Sequence, residues 1–554
     1  MNKTSTGRAW VPALGVGLCA LVAASAVAPA AWAADAPAKA APATVNVSRY
    51  QIEGNTLLDA ALVDEVLKAY LGARTPAELG QAAQAVQQRF RSAGHSAVLV
   101  YLPEQAVKDG VVVLRVLEGR LAHVSVSGNR RVTAAQVRAA LPALVEGRSP
   151  QVALIDTQVQ LANLNPSRQL AVVLEEGTAR GEVDARITVT ERHPQAWTLS
   201  LDNSGNRATG EARLGLSWQH ADLFKRDHQL QVQVQTSPDH PSQVRIASAT
   251  YRAPLPDWAS LFTVYGAYSS VNAGVSGSAA GAVQFAGQGR VLGMNLSRQL
   301  DRWRGIDQRL SIGLDSRDYL NDCSVQGLPA GACGAAGESV TVRPASLQYN
   351  ALMPGELPAS LEVTALHNLG LGGPHAGQAS VQAVRPGGRL LYRALRLSAA
   401  VAGSAPAGWQ WQARVQTQAS PDALVPGEQL GLAGAGTVRG YEERELSADS
   451  GAVASLEFTS PAWSQGAGGA ADAEALSWRV AAFADAAKGW MRADTACRPG
   501  AGSSCAIASA GLGLRLAKGP RTQLRLDAAL PLKDGRSTTA HNVRFHLQAS
   551  HAFE

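Results

Sequence analysis

The residue types that could do chemistry are concentrated in one segment, Gly431-Leu432-Ala433-Gly434-Ala435-Gly436-Thr437-Val438-Arg439-Gly440-Tyr441. Arg439 carries a planar, permanent charge whose fork of N–H donors fits a carboxylate in a way that an ammonium does not. Tyr441 adds a large ring with a polar tip. Glycines at 431, 434, 436 and 440 let the backbone turn tightly and pass close to other atoms. The segment therefore reads as a loop folded back against its own protein, the plainer alternative being a glycine-rich loop mobile at the surface. Its chemistry is holding a position, not making bonds. Arg439 stands where a dinucleotide-binding turn needs its third glycine, and the chain has no Gly-x-x-x-x-Gly-Lys or Gly-x-Ser-x-Gly. No catalytic residue, cofactor or metal is expected.

The elements around this loop read as strands. It lies within a stretch of roughly thirty residues, 420–451, a length that is uncommon between packed elements unless it has a function or is disordered. From Trp197 onward residues alternate with period two: Leu230, Val232 and Val234 interleave with glutamines, Leu524 and Leu526 with Arg525 and Asp527, and Val543, Phe545 and Leu547 with Arg544, His546 and Gln548. Sixteen such runs are predicted, at 196–203, 210–220, 228–237, 243–253, 259–271, 282–300, 307–319, 338–352, 358–369, 389–401, 408–419, 452–461, 476–487, 505–517, 520–531 and 542–553. An even number closes a barrel with both ends on one side. The connections 320–337, 370–388, 420–451 and 488–504 all follow odd-numbered strands, and most even-numbered ones are short, the pattern of an outer-membrane barrel. The even turn 462–475 is too long for that pattern. Hydrophobic residues make up 46% of the chain, yet after the N-terminal segment no apolar run is long enough for a membrane helix. A formal charge of +6 with no clustered basic face does not imply nucleic acid.

Upstream, Lys3 and Arg8 precede the apolar stretch Val11 to Ala28 and the small-x-small site Ala31-Trp32-Ala33, so residues 1–33 read as a signal peptide. Leu18 before Cys19 is wrong for lipoprotein cleavage. An Ala/Pro-rich linker, 34–44, leads to two copies of one pattern. In 45–119 a strand ending Glu53-Gly54-Asn55 precedes a helix with Leu62, Val63, Val66, Leu67 and Tyr70 on one face. A second helix follows, capped by Thr75-Pro76-Ala77-Glu78, then strands Ala97 to Leu102 and Val111 to Leu117. In 120–192 the order repeats: strand Ala122 to Val126, Gly128-Asn129, a helix capped at Thr133 with Gln136, a helix opening at Ser149-Pro150, and strands Ala171 to Glu175 and Asp184 to Thr190. Cys323, Cys333, Cys497 and Cys505 form two close pairs, 323 with 333 and 497 with 505, compatible with disulfides in an oxidising compartment.

Taken with Leu102-Pro103-Glu104-Gln105, Leu164-Asn165-Pro166, Leu201-Asp202-Asn203-Ser204-Gly205 and Val438-Arg439-Gly440-Tyr441, this organisation resembles the two-partner secretion transporters, the TpsB family of haemolysin-activator and filamentous-haemagglutinin transporters. The resemblance implies tandem α+β polypeptide-transport-associated (POTRA) domains, 45–119 and 120–192, followed by a transmembrane β-barrel of about 16 antiparallel strands, 195–554, with the loop 420–451 in the lumen. It implies that Arg439 meets the acid of a Phe-x-Asp-x-Gly motif on the wall, here Phe483-Ala484-Asp485-Ala486-Ala487, without the final glycine. Parity agrees: if Arg479 faces the lumen, so does Asp485, and Trp478 and Val480 face lipid, where an arginine near midplane would cost on the order of 2–4 kcal/mol. Two departures from the family stand out, a linker too short and Pro-rich to supply a plug helix and a chain ending Ala552-Phe553-Glu554.

The implied setting is the bacterial outer membrane with the POTRA domains in the periplasm. The implied partners are a large secreted exoprotein of the adhesin, haemolysin or contact-dependent toxin class, outer-membrane lipid, periplasmic chaperones and the barrel-assembly machinery, with no nucleic acid. The alternatives are a barrel-assembly insertase of the same superfamily, or a barrel enzyme with a Ser, a His and an acid on separate strands.

Overall fold

The computed structural model describes residues 44–205, 209–270, 275–278, 281–284, 288–320, 338–465, 475–498 and 500–553. The expected signal peptide, linker residues 34–43, Cys323 and Cys333 lie outside the described residues.

In the first N-terminal domain Arg49–Glu53 runs parallel to Val111–Glu118, and Val98–Tyr101 pairs antiparallel on its other side. Pro76–Ser92 starts as a helix because Thr75 Oγ1 accepts from the Glu78 amide at 3.3 Å while the Glu78 carboxylate accepts from the Thr75 amide at 2.7 Å, which satisfies two orphan donors reciprocally. Its buried face, Leu79, Ala83, Val86 and Phe90, packs where period 3.6 puts it. The preceding helix, Ala60–Leu67, buries Val63 and Leu67 and half-buries Val66, but Leu62 is exposed, one position off the buried stripe.

The second domain repeats the topology, with Arg120–Ser127 parallel to Glu182–Glu191 and Arg168–Glu176 antiparallel to it. The Thr133 and Gln136 box caps the helix Ala134–Ala139 as expected. The next helix does not open at Ser149-Pro150 but at Val152, because Gln151 is extended at ψ 92°. It has no side-chain cap, and the orphan amide of Val152 instead donates to the Gly94 carbonyl of the first domain, 3.2 Å away. Around Gly128-Asn129 the amides of Arg130, Arg131 and Val132 all donate to the Glu191 carboxylate, at 3.0, 2.8 and 3.1 Å. Burial works against the charge there, but these donors prevail and hold the carboxyl below its ordinary range.

From Gln195 onward the chain closes into a barrel of 16 antiparallel strands, each where the alternation predicts one, with ends shifted by a few residues. Two strands are interrupted: Val340–Val342 and Pro344–Met353 both pair with Ile306–Leu320, and Ser450–Thr459 and Trp463–Gln465 both pair with Leu476–Trp490. The second break corrects the reading of 462–475 as one long turn, since the strand resumes at Trp463 through an offset of the ladder at Ser460–Ala462; residues 466–474 lie outside the described set. Along Leu476–Trp490 the odd residues Phe483, Asp485 and Ala487 are buried, while Trp478 and Val480 face outward. The seam joins the first strand, Gln195–Asp202, to the last, Arg544–Phe553, through pairs running only from Trp197 opposite Phe553 to Asp202 opposite Gln548. Beyond them the Asn203 side chain extends the ladder, donating to the Phe545 carbonyl and accepting from the Leu547 amide, both at 2.8 Å.

The second N-terminal domain is locked to the barrel's underside by a buried polar joint. Arg168 pairs with Asp227 in the turn before His228, with side chains 1% and 12% exposed. Asn165 donates to the Ala221 carbonyl at 2.8 Å, and Asp156 pairs with Arg302 at 3.2 Å. Removing one partner of a buried ion pair costs about 3–5 kcal/mol because the other is left uncompensated. Asp227→Ala is therefore expected to loosen the joint and to speed tryptic cleavage at Arg192, in the connection between domain and barrel, by about tenfold or more. An unchanged cleavage rate would mean that the pair does not hold the joint.

Candidate functional site

The loop after the eleventh strand, Gln410–Ala419, turns inward and crosses the lumen before rejoining the wall at Ser450–Thr459. Its apolar residues Leu432, Val438, Tyr441 and Leu446, all nearly inaccessible, pack with Val453, Ala487 and Ile507 of the wall into a core inside the barrel. A short ladder, Leu430–Gly431 against Ser447–Ala448, closes its base.

Arg439 is 1% exposed. Its Nε donates to Asp485 Oδ2 at 2.7 Å and its Nη2 to Asp485 Oδ1 at 2.9 Å, and the Arg439 backbone amide adds a third bond at 3.2 Å. Its Nη1 donates to Glu457 Oε2 at 2.7 Å and stands 3.6 Å from Asp527 Oδ2. The guanidinium also lies 3.4 Å above the centroid of Phe483. Asp485 is 2% exposed, so neither charge has water as an alternative partner, and each nitrogen of the fork has a protein acceptor. Arg515 and Arg525, which pair with both Glu457 and Asp527, balance the additional acids.

The neighbours of Arg439 fix its direction. Gly440, at φ +93°, donates its amide to His546 Nε2 at 2.8 Å, and a Cβ there would lie 3.2 Å from Pro531 and 3.3 Å from Ala529. Tyr441 donates its hydroxyl between the carbonyls of Lys533 and Ala508, 2.8 and 3.0 Å away. Val438 is fully buried in the lumen core. The four residues Val438 to Tyr441 thus meet the wall through an apolar contact, a charge, a backbone amide and a hydroxyl.

Phe483 and Asp485 stand together with Arg439, as the wall motif implies. Where the motif has its last glycine, Ala487 fits with its methyl in the lumen core. A close approach occurs two residues on, at Gly489 on the same face, where a Cβ would lie 2.5 Å from that of Ala448. Phe483 itself lies across Gly511 of the next strand, which it faces in register. Cys497 and Cys505 are joined in a disulfide in the connection 491–503 and at its edge.

Glu457, Asp527 and His546 were not singled out from the sequence. The available signal was parity: Glu457 lies between the outward Leu456 and Phe458, and Asp527 and His546 already belonged to polar faces. A pair made of Arg439 and Asp485 alone would be expected to recover part of its function when the two charges are exchanged, and the additional acids overturn that expectation. Exchanging Arg439 and Asp485 would place a carboxylate at 439 against Glu457 and Asp527, so the exchange is not expected to restore the clamp.

Below the loop the lumen holds two cavities of about 650 and 660 Å³ that share Leu164, Arg309, Glu362, Ser398 and Gln416. Together they run from the POTRA-like helix residues Asp156 and Asn163 up to Gly427 and Gln429 of the loop.

Residues 181–516 match the family of haemolysin secretion/activation proteins ShlB/FhaC/HecB, and residues 45–119 match the ShlB-type POTRA domain. The outer membrane transporter CdiB of Dickeya dadantii (strain 3937) is 28% identical over 147 residues, 26% of this chain and 26% of that relative. The match thus spans about a quarter of the relative's length. The solved CdiB from Escherichia coli superposes with a TM-score of 0.72 at 20% identity over 94% of this chain and 92% of that one. The CdiB from Acinetobacter baumannii gives 0.67 at 15% identity, over 93% and 90%.

Gly440→Ala is expected to dislodge the signature, since a left-handed non-glycine residue costs about 1–2 kcal/mol before the contact with Pro531 is counted. Trypsin, which cannot reach Arg439 in the folded loop, should then cut after it. Continued resistance at Arg439 would show that the wall yields to the methyl.

Proposed function

The chain belongs to the ShlB/FhaC/HecB family of haemolysin secretion/activation proteins, a transporter family of the outer membrane, and from that premise we propose that it exports one large partner protein through its barrel. The partner enters from the periplasm as an extended chain. The observation that carries this reading is the run of lumen cavity from the second POTRA domain to the underside of the tethered loop. A passage that begins at a polypeptide-binding domain and ends beneath a removable obstruction is what a chain exporter requires.

In this reading the POTRA domains capture the substrate by strand addition. The edges Arg49–Glu53 and Val98–Tyr101 in the first domain, and Arg168–Glu176 in the second, each leave one side of the strand without a partner in its three-stranded sheet. Deletion of 45–119 should abolish secretion while leaving a heat-modifiable, folded barrel. Normal secretion from that deletion would exclude capture by the first domain.

The Arg439 clamp holds the loop in a working arrangement. Lysine keeps the charge but offers one compact ammonium in place of the fork on Asp485, the Glu457 contact and the stack on Phe483. Arg439→Lys is expected to lower secretion by about tenfold, equivalent to ~1.4 kcal/mol. Asp485→Ala should lower it at least as far, because it leaves a buried guanidinium short of its main acceptor. If Asp485→Ala secretes normally, Arg439 works through Glu457.

The short seam favours testing the insertase alternative directly, since an insertase would release its substrate sideways between Gln195–Asp202 and Arg544–Phe553. Ser200 and Ser550 face each other across that seam. A Ser200→Cys, Ser550→Cys disulfide should leave secretion of the partner intact if the chain passes through the lumen. Loss of secretion that is restored by reductant would favour lateral release.

A further inference from the structure

Eleven residues before Arg439 the same loop is held by a different part of the wall, through a group that no signature motif contains. The Glu428 carboxylate is fully buried. Arg317 Nη1 donates to both of its oxygens at 2.9 Å, Tyr319 donates its hydroxyl at 2.7 Å, and Arg396 Nη2 reaches it at 3.3 Å. The Glu428 carbonyl accepts from Arg396 and from Gln418 Nε2, both at 3.1 Å. Gly427 lies flat on the Tyr319 ring, so close that a Cβ would stand 2.2 Å from ring atoms.

The two attachments have different surroundings. Arg439 is held among charged wall side chains that border neither of the two lumen cavities, whereas Arg317, Tyr319, Arg396, Gly427, Gln429 and Leu430 line the roof of one of them. Glu428, like Arg439, is itself buried, and the difference lies in the wall: the Arg317 and Arg396 side chains are 19% and 34% exposed, against 0% for Asp485 and 17% for Glu457. A chain arriving from the periplasm therefore reaches the wall partners of Glu428 first, and a cation partly open to the cavity is more readily exchanged than a carboxylate sealed from it.

We infer that Glu428 is the releasable end of the loop, with Arg439 the fixed end, and that Arg317 and Arg396 donate to the backbone carbonyls of the extended polypeptide once Glu428 leaves them. The inference rests on the export reading for the identity of the incoming chain. The exchange keeps the arginines hydrogen-bonded but gives up their charge pairing with Glu428, whose carboxylate passes to the water of the cavity, so release is favourable only while a chain is present. In an empty barrel the two guanidiniums hold Glu428 and the roof stays closed. Gln418, which also holds Asp449 in the loop's return segment, contributes a third donor on the same surface.

The test uses the full-length protein in planar lipid bilayers without any substrate, alongside secretion from cells. Glu428→Gln should raise the mean current about threefold or more through a shifted loop population, with secretion retained within about twofold of the unmodified chain. Arg396→Gln weakens the same attachment from the wall side and should raise the current similarly. Heat-modifiable mobility on gels establishes that each variant is folded. Arg317→Gln with Arg396→Gln should raise the current and also lower secretion, because these side chains serve the passing chain. If folded Glu428→Gln and Arg396→Gln both conduct like the unmodified protein, Glu428 is not a releasable end. If the double arginine variant secretes normally, the arginines do not serve the substrate. Failure of the unmodified protein to secrete anything would overturn the export reading alone, since the current is measured with no substrate.

Discussion

A guanidinium in a membrane barrel without contact to bulk water has to find every one of its acceptors in the protein, and around Arg439 that requirement organises the surrounding structure. Asp485 takes two of its donors and Glu457 a third, and Phe483 covers one face. Two further acids would leave the site too negative, and Arg515 and Arg525 from neighbouring strands restore the balance. Glu457, Phe483 and Asp485, Arg515, and Arg525 and Asp527 sit on four successive strands, so the clamp also fixes the register of that wall. A one-residue slip on any of them would turn its charge toward lipid.

The loop is not a plug added to a finished pore. Its apolar residues share a core with Val453, Ala487 and Ile507, so part of the barrel's interior packing is supplied by the loop itself. Displacing the whole loop would expose that core and strip Arg439 of its acceptors together, a cost no substrate contact in a polar lumen would readily offset. In the proposed movement only the segment around Glu428 leaves the roof of the cavity, and the core stays closed. An attachment whose wall partners line the cavity, beside one whose partners do not, is what makes a partial movement the less costly one.

The polar joint beneath the barrel acts at the other end of the passage. Leu164-Asn165-Pro166 places Asn165 where its amide holds the Ala221 carbonyl, and Arg168 pairs with Asp227 three residues on. Asp156, about two helix turns before that motif, both pairs with Arg302 of the barrel and borders the lumen cavity. The mouth of the passage is therefore formed jointly by domain and barrel. At the seam, Asn203 of Leu201-Asp202-Asn203-Ser204-Gly205 adds its side-chain amide to the bond its backbone amide donates to the Leu547 carbonyl, where the ladder runs out.

Local rules in the sequence were sufficient for the sixteen strands, the two capping boxes and the inward direction of Asp485, because alternation and capping depend on neighbours a few residues away. The start of the helix at Val152 was not legible, since the acceptor that caps it is Gly94 in another domain. Nor was the exposure of Leu62, because the helical stripe is wider than the face the sheet covers. The signature loop and its wall partners Phe483 and Asp485 could be singled out by resemblance, but the remaining acids and His546 of the clamp could not. Glu457, Asp527 and His546 are ordinary inward residues until curvature of the closed barrel brings strands far apart in sequence around one guanidinium. Glu428 carries no signal at all in the chain: its meaning comes from Arg317 and Arg396, 111 and 32 residues away. Parity decides which face a side chain takes, and only closure of the sheet decides what it meets there.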